Sequence, residues 1–397
     1  MKKVMDGVYW VGATDWKVRK FHGYELSTHR GTTYNAYLIK DEKTVLIDTV
    51  WEPLTENFLT NLSEIIDIST IDYVIMNHLE PDHSGALPTL MKLIPNATII
   101  VSKKGQESIQ RHYHNDTWKI QVVTNGEKLS IGQNECIFVE ASMLHWPDSM
   151  FTYLTGKNIL FSNDAFGQHF ASSDIFHDEV DEAEVYQEAL KYYANILTPF
   201  SKLVIKKIEE LKSLNLPIDM IAPSHGVIWR NDPMRIVEKY YDWALGKVEQ
   251  SVVIIYNSMW GATQKMAESI GKGIGKAGVS YKIYNVATAD KNDIIAEVFK
   301  SKGVILGSST VNNGLLTRLM PIIEDLVGLK FINRVAAAFG SYGWSGESLK
   351  LLEEYLTKAK MKILFDGLKI KYMPSEDDIK ECTDFGKRFA LQMLLEK

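Results

Sequence analysis

The chain has 397 residues, 45% hydrophobic and 24% charged, with a formal net charge of -6. That length exceeds the ~250–300 residues one core can serve, so two domains are expected, and the acidic balance argues against a nucleic-acid binder, which would show a basic stripe. Two distant cysteines, Cys136 and Cys382, exclude a metal site built from four thiolates and a disulfide framework, and fit a reducing cytoplasm.

At the start, Lys2 and Lys3 are followed by Asp6 before any apolar run, so no signal peptide is expected. No window of ~18 uncharged apolar residues occurs, so no membrane span is expected either. β-branched runs at 33–39 and 44–48 flank the charged turn Lys40 to Lys43 and read as a hairpin. A short apolar strand is expected over Ile71 to Met76, a helix over Ser84 to Leu93, a strand over Thr98 to Val101 and a polar helix from Gly105. Strands follow at 135–139, 150–154 and 158–161, then helical periodicity from Asp181 to Leu197 and a strand from Ile218 to Ala222. From Ser251 the pattern changes to five β/α units, opened by the continuous apolar run Val252 to Tyr256. The strands are expected at 252–256, 281–286, 303–306, 335–339 and 367–372, with helices at 264–275, 293–299, 315–326, 345–359 and 377–395. Such alternation predicts a doubly wound parallel sheet. The expected domains are 1–249 and 250–397, with the boundary near Lys247 to Gln250.

The densest chemical signal is His78-Leu79-Glu80-Pro81-Asp82-His83, four candidate metal ligands in six residues just after a strand. His145, Asp164 and His225 also follow predicted strands. A lone histidine after a strand is ordinarily a loop residue with a local hydrogen bond. Four histidines and three carboxylates at strand ends are different, because burying such groups unpaired is costly. Mixed imidazole and carboxylate ligands suit iron, manganese or zinc alike.

This arrangement resembles the metallo-β-lactamase superfamily, which carries His-x-His-x-Asp-His in this loop, then a His, a bridging Asp and a final His. Glu80 stands where the second histidine would be, and that departure is similar to the flavodiiron proteins. The resemblance implies an N-terminal αββα sandwich holding two irons. It assigns His78, Glu80 and His145 to one iron, Asp82, His83 and His225 to the other, and Asp164 as the bridge. It also suggests that His22 approaches the site, with a plain surface loop as the alternative. Tyr192 or Tyr193 would donate a hydrogen bond to bound substrate, or both would be core aromatics. His112 and His114 read as solvated, and Cys136 as a small buried hydrophobe.

In the second domain, Ser258, Met259, Trp260, Gly261, Ala262 and Thr263 link the first strand to its helix. Hydroxyls, a glycine and a helix N-terminus suit a phosphate, and the lack of a Gly-Lys-Ser/Thr sequence there suits FMN better than ATP. Two further loops fit the same crevice: Ser309, Thr310, Val311, Asn312, Asn313 and Gly314, then Ser341, Tyr342, Gly343, Trp344, Ser345 and Gly346. Tyr342 and Trp344 offer rings to stack on a flavin. This half resembles flavodoxin. The run from Gly273 to Gly278 matches Gly-x-Gly-x-x-Gly but ends a helix, so it lacks the strand–turn–helix context of a dinucleotide site.

The resemblance as a whole implies an oxidoreductase that reduces nitric oxide to nitrous oxide, dioxygen to water, or both. Its diiron site would be fed by FMN, and a separate donor such as rubredoxin or reduced deazaflavin (F420) would supply electrons. It implies a head-to-tail homodimer, or a dimer of dimers, in the cytoplasm. The rival reading is a dizinc hydrolase carrying its flavodoxin domain as a passenger.

Overall fold

The structure, a computed structural model, describes residues 2–396. They form two compact units. One runs to Tyr193 and resumes over Phe200–Tyr241, and the other takes Ala194–Pro199 and the chain from Asp242 onward.

The first unit is built on two sheets. The larger runs in the order Lys2–Met5, Val8–Trp10, Tyr37–Lys40, Thr44–Ile47, Tyr73–Ile75, Thr98–Ser102, Lys119–Val123. Its first four strands are antiparallel and the rest parallel. The other sheet orders Lys128–Ser130, Glu135–Glu140, Met150–Leu154, Ile159–Asn163 and Met220–Pro223, with only the last pair parallel. Ile39, Ile47, Ile75 and Ile100 from one sheet share a core with Phe138, Leu154 and Phe161 from the other, so the two pack face to face. The alternate residues Leu38, Leu46, Val74 and Ile99 are buried as well, which requires a second cover. The helix Lys103–Tyr113 packs on the last two strands of the larger sheet and supplies part of it.

Directionality explains where the candidate ligands gather. The strands Glu135–Glu140 and Ile159–Asn163 both run antiparallel to Met150–Leu154, and Met220–Pro223 is parallel to Ile159–Asn163. Their carboxyl ends therefore share one edge of the sheet, which delivers His145, Asp164 and His225 to one place.

The second unit has a parallel sheet in the order Ser280–Asn285, Glu249–Asn257, Ser301–Val311, Val335–Tyr342, with Lys362–Ile363 and Leu368–Lys371 on the far edge. This is the flavodoxin-like winding expected from five β/α units. The helices Ala262–Lys276 and Glu376–Leu395 pack against each other. Met266, Ile270, Phe389 and Met393 join Val252, Ile254 and Ile305 in one core. A Cβ on Gly273 would lie 1.9 Å from the Thr383 carbonyl oxygen, and one on Gly386 2.0 Å from that of Ile270. The glycine-rich run thus serves helix–helix approach.

Local departures from the sequence pattern have physical causes. The expected strand over 33–39 is broken: Thr32–Tyr34 pairs with Ala13–Asp15, and only Tyr37–Lys40 enters the large sheet. Between them, the Asn35 amide donates to the Ser224 carbonyl at 2.7 Å. The helix expected over 181–197 is α-helical over Glu182–Tyr192 and becomes a π-helix at Tyr193–Leu197. The one expected at 315–326 begins at Met320, because Pro321 belongs in a first turn, where its missing N–H costs nothing. Among the described residues, no helix is long and apolar enough to cross a membrane.

Candidate dinuclear metal centre and flavin site

The loop after Tyr73–Ile75 is pinned through its backbone. The Asn77 amide donates to Asp48 Oδ1 at 2.7 Å, and the Leu79 amide to Asp148 Oδ2 at 2.8 Å. Thr49 Oγ1 donates to the His83 carbonyl at 2.6 Å. Glu80 is extended (ψ 140°), and Pro81 then opens the short turn Pro81–Ser84. A rigid backbone of this kind aims side chains without needing them to hold one another.

The seven candidates gather in two groups. In one, His78 Nε2 lies 3.2 Å from Glu80 Oε2, and His145 Nε2 lies 3.4 Å from Asp164 Oδ2. In the other, Asp82 Oδ2 lies 3.3 Å from His83 Nε2 and 3.1 Å from His225 Nε2. Asp164 belongs to both: its Oδ2 faces His78 and His145 at 3.7 and 3.4 Å, and its Oδ1 faces His83 and His225 at 3.1 and 3.7 Å. Within each group the ligand atoms lie within 4.8 Å of one another.

These residues fit a pair of metal ions. His78, His83, Asp164 and His225 are almost wholly buried. Yet both nitrogens of His83, both oxygens of Asp82 and Oδ2 of Asp164 have no hydrogen-bond partner. The atoms are close but badly directed toward each other, as donor atoms are when they point at a shared centre. Orphaned buried carboxylates are expensive unless a cation neutralises them. Without one, protons on His78 and His83 take that part. Burial pulls the His83 imidazole down, but the charges of Asp82 and Asp164 outweigh it and push the group up to about 9. Burial opposes charge on Asp164 too, yet the His83 charge and the close approach of the His145 and His83 imidazoles hold its carboxyl well below the ordinary range.

The outer nitrogens of two histidines are anchored. His78 Nδ1 meets Asp148 Oδ2 at 3.0 Å. His225 Nδ1 meets the Thr33 carbonyl at 2.6 Å. A carbonyl only accepts, so that nitrogen carries a proton, and in the neutral ring the lone pair is on His225 Nε2. Gly226 follows at φ 78°, and a Cβ there would stand 1.8 Å from Gln168 Oε1, so the turn that aims His225 admits only glycine.

His22 reaches the site, with Nε2 3.1 Å from Glu80 Oε1. It lines an open pocket of about 480 Å³ together with Phe21, Tyr24, Tyr34 and Trp51, and Glu80 and Asp82 border the same space. Tyr192 is buried, its ring 5.1 Å from that of His169 and 6.3 Å from that of His225. Tyr193 is not brought to the cluster: its hydroxyl pairs with Ser201 at 3.1 Å and its ring packs edge-on against Tyr240. Sequence reasoning passed over Asp148, Asn35 and His169. His169 meets Thr32 Oγ1 through Nδ1 at 2.9 Å and tilts against His225 at 5.1 Å. Burial drives its pKa far below the ordinary value, so it is neutral. Its place five residues after Asp164 was a usable signal.

In the second unit, the three loops follow the adjacent strands Glu249–Asn257, Ser301–Val311 and Val335–Tyr342. The segment read as a loop at 309–314 is partly strand: Val311 pairs with Gly314, and Asn312 and Asn313 turn at φ 49° and 54°. Thr263 turns its hydroxyl inward, 2.8 Å from both Ser309 Oγ and Ser341 Oγ. Ser258 Oγ accepts from the Gly261 amide at 3.1 Å. The helix Ala262–Lys276 has no side chain capping its N-terminus, and a Cβ on Gly261 would meet nothing within 4 Å. Free first-turn amides facing open space fit a phosphate. Trp260 and Trp344 are 88% and 78% exposed beside this crevice.

Residues 32–226 match the family model described as ODP family beta lactamase, and residues 254–386 match Flavodoxin. The nitric oxide reductase of Moorella thermoacetica is 45% identical over 98% of both chains. The solved rubredoxin oxygen:oxidoreductase of Desulfovibrio gigas superposes with a TM-score of 0.97 at 38% identity, covering 100% of this chain and 99% of that one. The flavodiiron protein of Giardia intestinalis superposes with a TM-score of 0.95 at 32% identity, covering 100% and 97%. With a metallo-β-lactamase-like unit followed by a flavodoxin-like one, and full-length relatives of that same composition, the chain belongs to the flavodiiron protein family.

Proposed function

We propose that this chain reduces nitric oxide to nitrous oxide, dioxygen to water, or both. The observation that carries the reading is the placement of Asp164, one oxygen toward each ligand group. His78, Glu80 and His145 would hold one iron and Asp82, His83 and His225 the other, with Asp164 available to both groups. When bound, the two irons supply open positions for a diatomic gas, and FMN supplies electrons one at a time from a two-electron donor. The chain's own residues orient and insulate that chemistry. Asp148 and Thr33 hold the outer nitrogens of His78 and His225. His22 hydrogen-bonds Glu80 and stands where a small ligand enters. Tyr34 and Trp51 form an apolar wall, and the buried Tyr192 ring lies 6.3 Å from that of His225.

The amides and Ser258 hydroxyl of the 258–263 loop would hold the FMN phosphate. The 309–314 and 341–346 loops would line the ring's side of the crevice, with Tyr342 and Trp344 available for stacking. Functional domains are taken as 1–249 and 250–397. The donor is a separate carrier, rubredoxin or reduced deazaflavin. The assembly is a head-to-tail homodimer, alone or paired into a dimer of dimers, in the cytoplasm. The test is protein made in iron-replete cells: two irons and one FMN per chain, with NO or O2 consumed when rubredoxin and its reductase are added. Asp164→Ala should lose metal and keep FMN. Two zincs and no turnover of either gas would overturn the reading in favour of a hydrolase.

A further inference from the structure

We infer that Asn35 is a positioning residue for one half of the dinuclear centre, acting through His225. The inference rests on His225 being a metal ligand. Asn35 is 1% exposed and lies in the break between Thr32–Tyr34 and Tyr37–Lys40. Every polar group of its side chain is used. Nδ2 donates to the Pro223 carbonyl at 2.8 Å and to the Gly226 carbonyl at 2.9 Å. Oδ1 accepts from Trp10 Nε1 at 2.7 Å, which fixes which end of the amide faces the loop. The Asn35 backbone amide adds a bond to the Ser224 carbonyl. Three carbonyls around His225 are thereby tied to one residue.

The neighbour two residues back completes the device. Thr33 accepts the His225 Nδ1–H through its carbonyl at 2.6 Å, and Thr33 Oγ1 accepts the Gly226 amide at 2.6 Å. Asn35 and Thr33 are on one segment, so the bonds that hold the loop also hold the carbonyl that selects the His225 tautomer. Removing the Asn35 amide would leave the Pro223 carbonyl held only by the Tyr37 hydroxyl at 2.7 Å and the Gly226 carbonyl only by the Thr33 hydroxyl at 3.3 Å, and would let the loop move relative to Thr33. His225 would then lose its fixed Nε2 lone pair. The other half of the centre has no such dependence: His78 is braced by Asp148, and its loop hangs on Asp48 and Thr49. The expected consequence is therefore one-sided.

The experiment uses the full chain. In wild-type protein stripped of metal, 15N NMR at a pH where His225 is neutral should show its proton on Nδ1. In Asn35→Ala, His225 should become a mixture of tautomers. Affinity for one of two added Fe(II) or Co(II) ions should fall about 10- to 100-fold, the usual cost of losing a ligand's outer support, while the other ion stays bound. Trp10→Phe, which frees the amide to flip and trims one core ring, should do the same to a smaller degree and serves if the alanine variant does not fold. Val45→Ala, a core truncation in the same sheet, should lower stability without changing the tautomer or the metal ratio. A wild-type proton on Nε2, or two ions bound with unchanged affinity in both variants, would overturn the proposal. Failure of the wild-type chain to bind any metal would instead overturn the diiron reading on which it rests.

Discussion

At the scale of single residues, the centre is a contest between protons and metal for the same nitrogens. His83 has an ordinary value of 6.5 and is raised to about 9 in the folded, metal-free chain. A raised value means the protonated form favours folding. That stability is fully present below the unfolded value and is lost as pH climbs through 9. The shift corresponds to about 3 kcal/mol. Metal-free protein should therefore melt at a lower temperature at pH 9 than at pH 6.5, by calorimetry. Metal-loaded protein should show the opposite weakness and release its ions on acidification, because ligation needs deprotonated imidazoles. A second expectation concerns Asp148→Asn. The amide still fills the space, but a neutral group replaces the carboxylate behind His78, so metal affinity should drop roughly 10- to 100-fold in a competition titration with a chelator. All seven residues that the structure gathers were legible in the sequence, because four lie in one short loop and the rest follow strands. Asp148 was not, since Pro147-Asp148-Ser149 reads as an ordinary turn. Its meaning comes from a partner seventy positions away.

At the scale of elements, long periodic segments were legible and short ones were not. The five β/α units from Ser251 onward and the apolar strands of the first half match their patterns. Strands of two to four residues, such as Lys20–Phe21 and Leu26–Ser27, are too brief to show a period of two. The Asn35 break was illegible for another reason: its β-branched neighbours favour a strand, and a tertiary hydrogen bond wins. The helix pair Ala262–Lys276 and Glu376–Leu395 yields a sharp expectation. Gly386→Leu forces a side chain into the Ile270 backbone, an overpacking that costs roughly 1–3 kcal/mol or more. Chemical denaturation followed by flavin release should show the second unit unfolding earlier, while the first unit's metal content stays the same.

At the scale of the whole molecule, the question is how electrons cross from flavin to metal. Electron transfer weakens steeply with distance, and a two-fold dimer can satisfy two such contacts at once. The expected arrangement pairs the flavin of one chain with the irons of the other. One chain would carry Asp164→Ala. The other would carry bulky residues at Gly261, which sits at φ 87°, and at Gly343, whose Cβ would meet Tyr372 at 3.4 Å. Each homodimer should be inactive, and the mixed dimer should recover one working pair of sites. Steady-state turnover on purified mixed dimers decides it, with no activity in dimers that hold both cofactors counting against the trans model. The two exposed tryptophans beside the flavin crevice, Trp260 and Trp344, carry a separate consequence. An indole beside a bound isoalloxazine hands over its excitation, so the chain's ultraviolet emission becomes an optical gauge of cofactor occupancy. Flavin-free protein should glow brightly at the long wavelengths of water-bathed indoles. Stepwise addition of FMN should dim that red edge first, and replacing both tryptophans with phenylalanine should remove the dimming.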